Sequence, residues 1–280
     1  MTEIVGRNAL ITGGASGIGR QVAMKLARLG ANVVLWDLRP ADLAAVVDEI
    51  KRATGRAAYG FVCDVSDREA VYAAASQVKS EVGRIHILVH SAGVVTGKPF
   101  LECSDEALER TLAVNALALF WTCKSFLPDM IRGGLGHVVT VASAAGVVGV
   151  ARLSDYCASK WAAVGFDESL RVELRKAAPG VRTTIVCTHY VNTGMFRGVR
   201  SRFPWLLPIL KEEVVAERIV QAIRRNRARV CMPPLVYLVP LLRILPVRLF
   251  DAIATLLGVN SAMDEFAGRR EIDRGQAHRS

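Results

Sequence analysis

Paired cysteines are missing from this 280-residue chain: the six cysteines, at 63, 103, 123, 157, 187 and 231, show no CxxC or related spacing. A disulfide framework and a cysteine metal site are therefore not expected, and reduced thiols fit a cytosolic compartment. Long uninterrupted apolar runs are missing too. The greasiest stretch, 232–258, is interrupted by prolines at 233, 234, 240 and 246 and by Arg243 and Arg248. That pattern excludes a plain spanning helix. The N-terminus enters a strand-like run almost at once, so neither a signal peptide nor an N-terminal anchor is expected. Aromatic residues make up 6% of the chain and are not interleaved with basic ones. Nucleic acid is thus not an expected partner, despite a formal charge of +10. The charge is uneven: from Phe196 onward 15 Lys/Arg face 8 Asp/Glu.

What the chain does have is apolar residues, 51% of the total, enough to bury the core of one α/β domain. Residues 8–64 read as a strand–turn–helix–strand unit. NALIT is a short apolar strand, GGASGIG a glycine-rich turn, GRQVAMKLARLG a helix and NVVLWD a second strand. Gly13, Gly17 and Gly19, with Ser16 and Ile18 between them, let the backbone approach a pyrophosphate at a helix start. Asp37 closes the second strand, where a carboxylate accepts ribose hydroxyls and repels a 2′-phosphate, so NAD is favoured over NADP. Arg39 argues the other way, with less weight. Asp64 and Val65 end a third strand within reach of an adenine edge, and Ala92-Gly93 form a tight turn after a fourth.

The chemistry centres on SAAGVVGVARLSDYCASK, residues 143–160. Tyr156 and Lys160 are four apart and share a helix face, and Ser143 ends an apolar strand. A free phenol titrates near pH 10. An ammonium one turn away is expected to pull Tyr156 toward the working range, while the Ser143 hydroxyl holds the reacting oxygen. Asn115 interrupts an apolar helix, either as a structural amide or as one that bends the helix and holds a relay water near Lys160. Thr193 stands where a hydroxyl can bind a nicotinamide carboxamide. His189 reads as a pocket-lining loop residue rather than a base.

Taken together, Thr12-Gly13-x3-Gly17-Ile18-Gly19, Asp64, Ala92-Gly93, Asn115, Ser143, Tyr156-x3-Lys160 and Thr193 resemble the short-chain dehydrogenase/reductase family over about residues 4–232. The resemblance implies a doubly wound parallel sheet in the order 3-2-1-4-5-6-7. It also implies a catalytic tetrad of Asn115, Ser143, Tyr156 and Lys160, with Lys160 binding the nicotinamide ribose, and a homodimer or homotetramer packed through long helices. Two positions depart from the family pattern. His90-Ser91 replaces an Asn-Asn pair, and Thr188-His189 replaces a Pro-Gly after the sixth strand. VLWD, the Tyr156-Cys157 pair and VNTGMFRGVRSRFPWLLPILKEEVVAERIVQAI resemble, more narrowly, the retinol/retinal and 17β-hydroxysteroid dehydrogenase branch.

The expected organisation is a catalytic domain over 1–232, with an apolar and aromatic lid at 194–210 that either covers substrate or packs as an ordinary helix pair. An apolar helical extension follows at 233–260, and a polar, loosely ordered tail at 261–280. The extension reads as two short amphipathic helices that pack on another subunit, cap the pocket, or lie on a bilayer. The expected activity is NAD(H)-linked interconversion of an apolar alcohol and its carbonyl, in the cytoplasm, with a membrane surface one of the contacts left open for 233–258. An NADPH-dependent 3-oxoacyl reductase and a non-catalytic cofactor sensor are the alternatives.

Overall fold

The computed structural model describes residues 1–268. Its seven strands are β1 (Asn8–Thr12), β2 (Asn32–Asp37), β3 (Ala58–Val62), β4 (Ile87–His90), β5 (Gly136–Val141), β6 (Val181–Thr188) and β7 (Arg229–Met232). They form one parallel sheet in the order β3-β2-β1-β4-β5-β6-β7, the order that the resemblance implied. The strands read as apolar runs rather than alternating ones because helices cover both faces. The helices are α1 (Gly17–Arg28), α2 (Pro40–Thr54), α3 (Arg68–Glu81), α4 (Asp105–Leu112), α5 (Ala118–Arg132), α6 (Ser154–Ala177), α7 (Glu212–Arg224), α8 (Val239–Leu242) and α9 (Val247–Leu256).

Strand pleating divides the core into two layers. Val33 and Leu35 of β2 pack with buried residues of α1, α2 and α7, whereas Val34 and Trp36 pack with those of α3 and α5. The chain runs outward from β1 to β3, then returns to place β4 on the other side of β1. Neighbouring loops diverge at that reversal and leave a crevice above the carboxyl ends of β1 and β4. The Thr12 hydroxyl fixes one wall of the crevice by accepting the Ser91 and Ala92 N–H groups, both at 3.2 Å.

Three expectations are corrected here. Residues 194–210 form no helix pair: the segment is a chain of turns, tied at its ends by a bridge between Val191 and Leu210. The lid also divides. Met195, Phe196 and Leu207 face inward, whereas Trp205 is 80% exposed and stacks edge-on against Phe203. The third concerns the polar tail, which is not loose at its start: Ala262 and Met263 are buried. Charge counting missed this because two apolar side chains carry the packing. The rest of the tail, 269–280, lies outside the described residues.

The extension does fold as short helices. Pro234–Leu238 makes a tight turn into α8, and α9 follows after Pro246. Arg243 fastens this unit to α6, with its guanidinium 4.5 Å above the Trp161 ring and donating to the Val147 carbonyl at 3.2 Å. Among the described residues, no helix is long and apolar enough to cross a membrane.

Candidate active site

The crevice opens into a cleft of about 430 Å³ that runs from the glycine-rich turn to the C-terminal helices. At one end the turn needs its glycines for contact reasons. A Cβ on Gly13 would lie 2.9 Å from the Ala92 Cα, and one on Gly19 would lie 2.2 Å from the Gly13 carbonyl oxygen. Ser16 gives α1 no side-chain cap, and the first turn of α1 carries no acidic residue. The open N–H groups and positive end of that helix suit a dinucleotide pyrophosphate. Gly13, Ser16, Gly17, Ile18, Asp37, Asp64, Val65, Ala92, Gly93 and Thr193 all line the cleft. Thr12 and Gly19 stand behind it as supports, the first by hydrogen bonds and the second by close packing.

Asp37 is fixed rather than free. Its Oδ2 accepts the Ala15 N–H at 3.0 Å, and its Oδ1 accepts the Leu38 N–H at 2.9 Å. Arg39 also lines the cleft; its guanidinium pairs with Asp42 at 2.9 Å and stands 3.9 Å from Asp37. Asp64 is held by the Ser66 N–H and hydroxyl at 2.8 and 2.6 Å. Thr193 packs its side chain beside Gly17.

At the other end stand Ser143, Tyr156 and Lys160. Lys160 places its Nζ 5.5 Å from the Tyr156 ring centre and donates to the Val141 carbonyl at 3.0 Å. The expectation that this ammonium lowers the phenol is not met by the protein's own groups. Tyr156 is 5% exposed; burial pushes its pKa up, and the neighbouring Ser143 hydroxyl opposes this only in part. Burial also brings Lys160 down, to about 8. Desolvation is the largest cause of both shifts, because each charged form loses its water in the cleft. An oxidised nicotinamide would bring a positive charge to this spot.

Asn115 sits behind the cleft wall, in a single π-helical turn, Ala113–Leu117, between α4 and α5. Its Oδ1 accepts the Val94 N–H at 2.9 Å, and its Nδ2 donates to the Val94 carbonyl at 2.9 Å and to Ser159 at 3.0 Å. The amide therefore ties the loop after β4 to the helix that carries Tyr156. Losing it would orphan two backbone groups, at about 1–3 kcal/mol each if they stay buried. A second tie went unnoticed in the sequence. Asp155 accepts the Thr96 and Thr111 hydroxyls at 2.6 and 2.8 Å. Nothing local marks it, because its partners are 59 and 44 residues away.

Both departures from the family pattern have structural replacements. The His90 Nε2 and the Thr122 hydroxyl are hydrogen-bonded at 2.6 Å, tying β4 to α5, and burial holds that ring neutral with a pKa of about 3. The Thr188 carbonyl accepts the Ser143 hydroxyl at 3.3 Å, and the His189 N–H donates to the Met232 carbonyl at 2.7 Å. His189 lines the cleft and is lowered by burial, as suits a wall rather than a base.

The extension completes the cleft. Phe250, Ile253, Ala254 and Leu257 face inward, one stripe of α9, together with Val236, Val239 and Leu242. The spacing 250, 253, 254, 257 was a legible helical signal in the sequence.

The description "short chain dehydrogenase" matches residues 7–203. The chain belongs to the short-chain dehydrogenase family. The mouse protein named epidermal retinol dehydrogenase 2 is 44% identical over 96% of this chain and 88% of its own length. Human retinol dehydrogenase 10 is 40% identical over 96% of this chain and 87% of its own length. A Burkholderia phymatum family member solved with NAD superimposes with a TM-score of 0.79 at 29% identity, covering 93% of this chain and 98% of that one. A metagenomic member solved with NADP gives 0.69 at 30% identity, covering 82% and 97%. The protein is thus an NAD(P)-linked oxidoreductase acting between alcohols and carbonyls.

Substituting Tyr156→Phe should lower turnover by at least about a hundredfold, the usual scale of a lost acid–base group. NADH affinity, read by fluorescence titration, should stay within about twofold of wild type. Wild-type turnover in the variant would show that another group moves the proton.

Proposed function

We propose that the chain is an NAD(H)-linked dehydrogenase for an apolar, lipid-like alcohol, such as a retinoid, a steroid or a long-chain alcohol, and for the matching carbonyl. The observation that carries this reading is the cap: one apolar face of α9 and its neighbours line the same cleft as Tyr156. An apolar wall without a charged partner favours a substrate with one polar end, the end that reacts. The names of the retinol dehydrogenase relatives point to the same class.

In alcohol oxidation, Tyr156 as phenolate takes the hydroxyl proton, and in the reverse direction the phenol returns it to the carbonyl oxygen. Ser143 donates to that same oxygen and holds it beside the phenol. Lys160 in its ammonium form stabilises the phenolate and donates to the nicotinamide ribose. Asn115 fixes the loop after β4 against the helix that carries Tyr156 and Lys160. The bound nicotinamide supplies the hydride acceptor or donor. The cap and lid keep water from the reacting carbon.

Asp37 supports NAD over NADP. Its charge is anchored at the ribose end of the cleft by two backbone N–H groups, so it cannot swing clear of a 2′-phosphate without breaking both.

The outer face of the cap supports a position at an anionic lipid surface, reached from the cytosol. Leu238, Leu241, Ile244, Val247 and Leu256 are exposed there, beside Arg248. The net positive charge of the chain adds an electrostatic attraction to anionic head groups.

Three measurements test this reading. Across retinol, 17β-hydroxysteroids, long-chain alcohols, short polar alcohols and 3-hydroxyacyl thioesters, NADH formation should be confined to the first three. Turnover centred on thioesters would overturn the substrate class. Asp37→Ala should relax discrimination against NADP by about tenfold, the equivalent of about 1.4 kcal/mol; a wild type that already prefers NADPH would refute the argument. In vesicle sedimentation the protein should pellet with phosphatidylglycerol-containing bilayers and not with pure phosphatidylcholine. Leu241→Glu with Ile244→Glu should release it, and pelleting that survives this pair would exclude the cap as the contact.

A further inference from the structure

The segment after α9 returns across the lid instead of leaving the molecule. Ala262 and Met263 lie in the same apolar cluster as Tyr156, Leu153 and Val199, and Met263 is 0% exposed. The contact is made by backbone as well as by side chains. The Arg200 N–H donates to the Ala262 carbonyl at 3.2 Å, and the Ala267 and Gly268 N–H groups donate to the Arg197 carbonyl at 2.9 and 3.2 Å. Arg200 and Glu265 pair at 2.7 Å. Gly198, at φ +89°, gives the strap its close approach: a Cβ there would lie 2.1 Å from the Glu265 carbonyl oxygen.

Phe266 ends this strap. Its ring centre stands 6.4 Å from that of Phe196, and its edge covers Gly97, where a Cβ would come within 2.1 Å of the ring. Phe196 in turn stands edge-on to Tyr156 at 5.6 Å and to Tyr190 at 5.1 Å. Phe196 lines the cleft whereas Phe266 does not. The ring that walls the reacting phenol is therefore backed by a residue from the far end of the chain. If Phe266 were truncated, Phe196 would have space to withdraw from Tyr156.

We propose that the strap Ser261–Gly268 is a specificity element: Phe266, acting through Phe196, sets how bulky a carbinol carbon fits beside Tyr156. This rests on Tyr156 being the proton-transfer group. With the backing ring in place, the slot favours primary over ring-bearing secondary alcohols among the apolar substrates it accepts. Without it, the balance shifts toward the secondary ones. Phe266 is a positioning residue, since it does not line the cleft.

The test is the ratio of kcat/KM for a ring-bearing secondary alcohol to that for a linear primary alcohol, with NAD saturating. Phe266→Ala should raise that ratio about tenfold, Phe266→Leu should restore most of the wild-type value, and NADH affinity should not move. Phe196→Ala should raise the ratio by itself, and the double variant should add nothing further, because one residue acts through the other. A Phe266→Ala protein that is merely less heat-stable, with an unchanged ratio, would make the strap structural and end the proposal. Additive effects in the double variant would also overturn it. Failure of the catalytic reading looks different: Tyr156→Phe would keep turnover whatever the ratio does.

Discussion

The structure depends on burying a phenol and an ammonium group one helical turn apart. In water, Tyr156 and Lys160 would titrate above the neutral range and scarcely affect each other. Inside the cleft, desolvation raises the first and lowers the second, to about 8. Burial thus favours both neutral forms, so the phenolate that takes a proton needs added positive charge nearby, which an oxidised nicotinamide would bring. Lys160 is not abandoned by this burial, because the Val141 carbonyl accepts one of its protons. The sheet supplies that acceptor at the last residue of β5.

Burial of this pair has to be maintained from several directions, and the fold does so with parts far apart in sequence. The loop after β4 is pinned at Val94 by Asn115 and at Thr96 by Asp155. The π-helical turn at Ala113–Leu117 aims the Asn115 amide at that loop. Such turns cost regular hydrogen bonding and are common where a side chain must be redirected for function. The lid lays Phe196 against the Tyr156 ring, and the strap backs Phe196 from outside. The extension closes the last side with α9. Arg243, over Trp161, holds the extension to the same α6 that carries Tyr156 and Lys160.

The extension also shows how one short helix serves two surroundings. On α9, Phe250, Ile253, Ala254 and Leu257 face the cleft, while Leu249 and Leu256 face outward and are exposed. A helix with apolar residues on both sides normally lies within a core. Here one side is core and the other meets the exterior.

By itself the sequence determined the glycine-rich turn, the Tyr156–Lys160 spacing and the position of Asp37, while the strand order followed only from the family that these motifs resemble. These are features of local pattern: a period of two or 3.6, a glycine where a Cβ cannot fit, a carboxylate at a strand end. It also carried the spacing of the α9 stripe, but not which of three surfaces that stripe would meet. Tertiary structure alone decided that the extension caps the cleft, that only part of the lid faces inward, that Asp155 joins Thr96 and Thr111, and that Phe266 reaches Gly97. It decided the protonation balance as well, reversing the shift expected for Tyr156. Each of these depends on contacts between residues tens to more than a hundred positions apart, or on how much water a group loses, and neither is written in any local run of the chain.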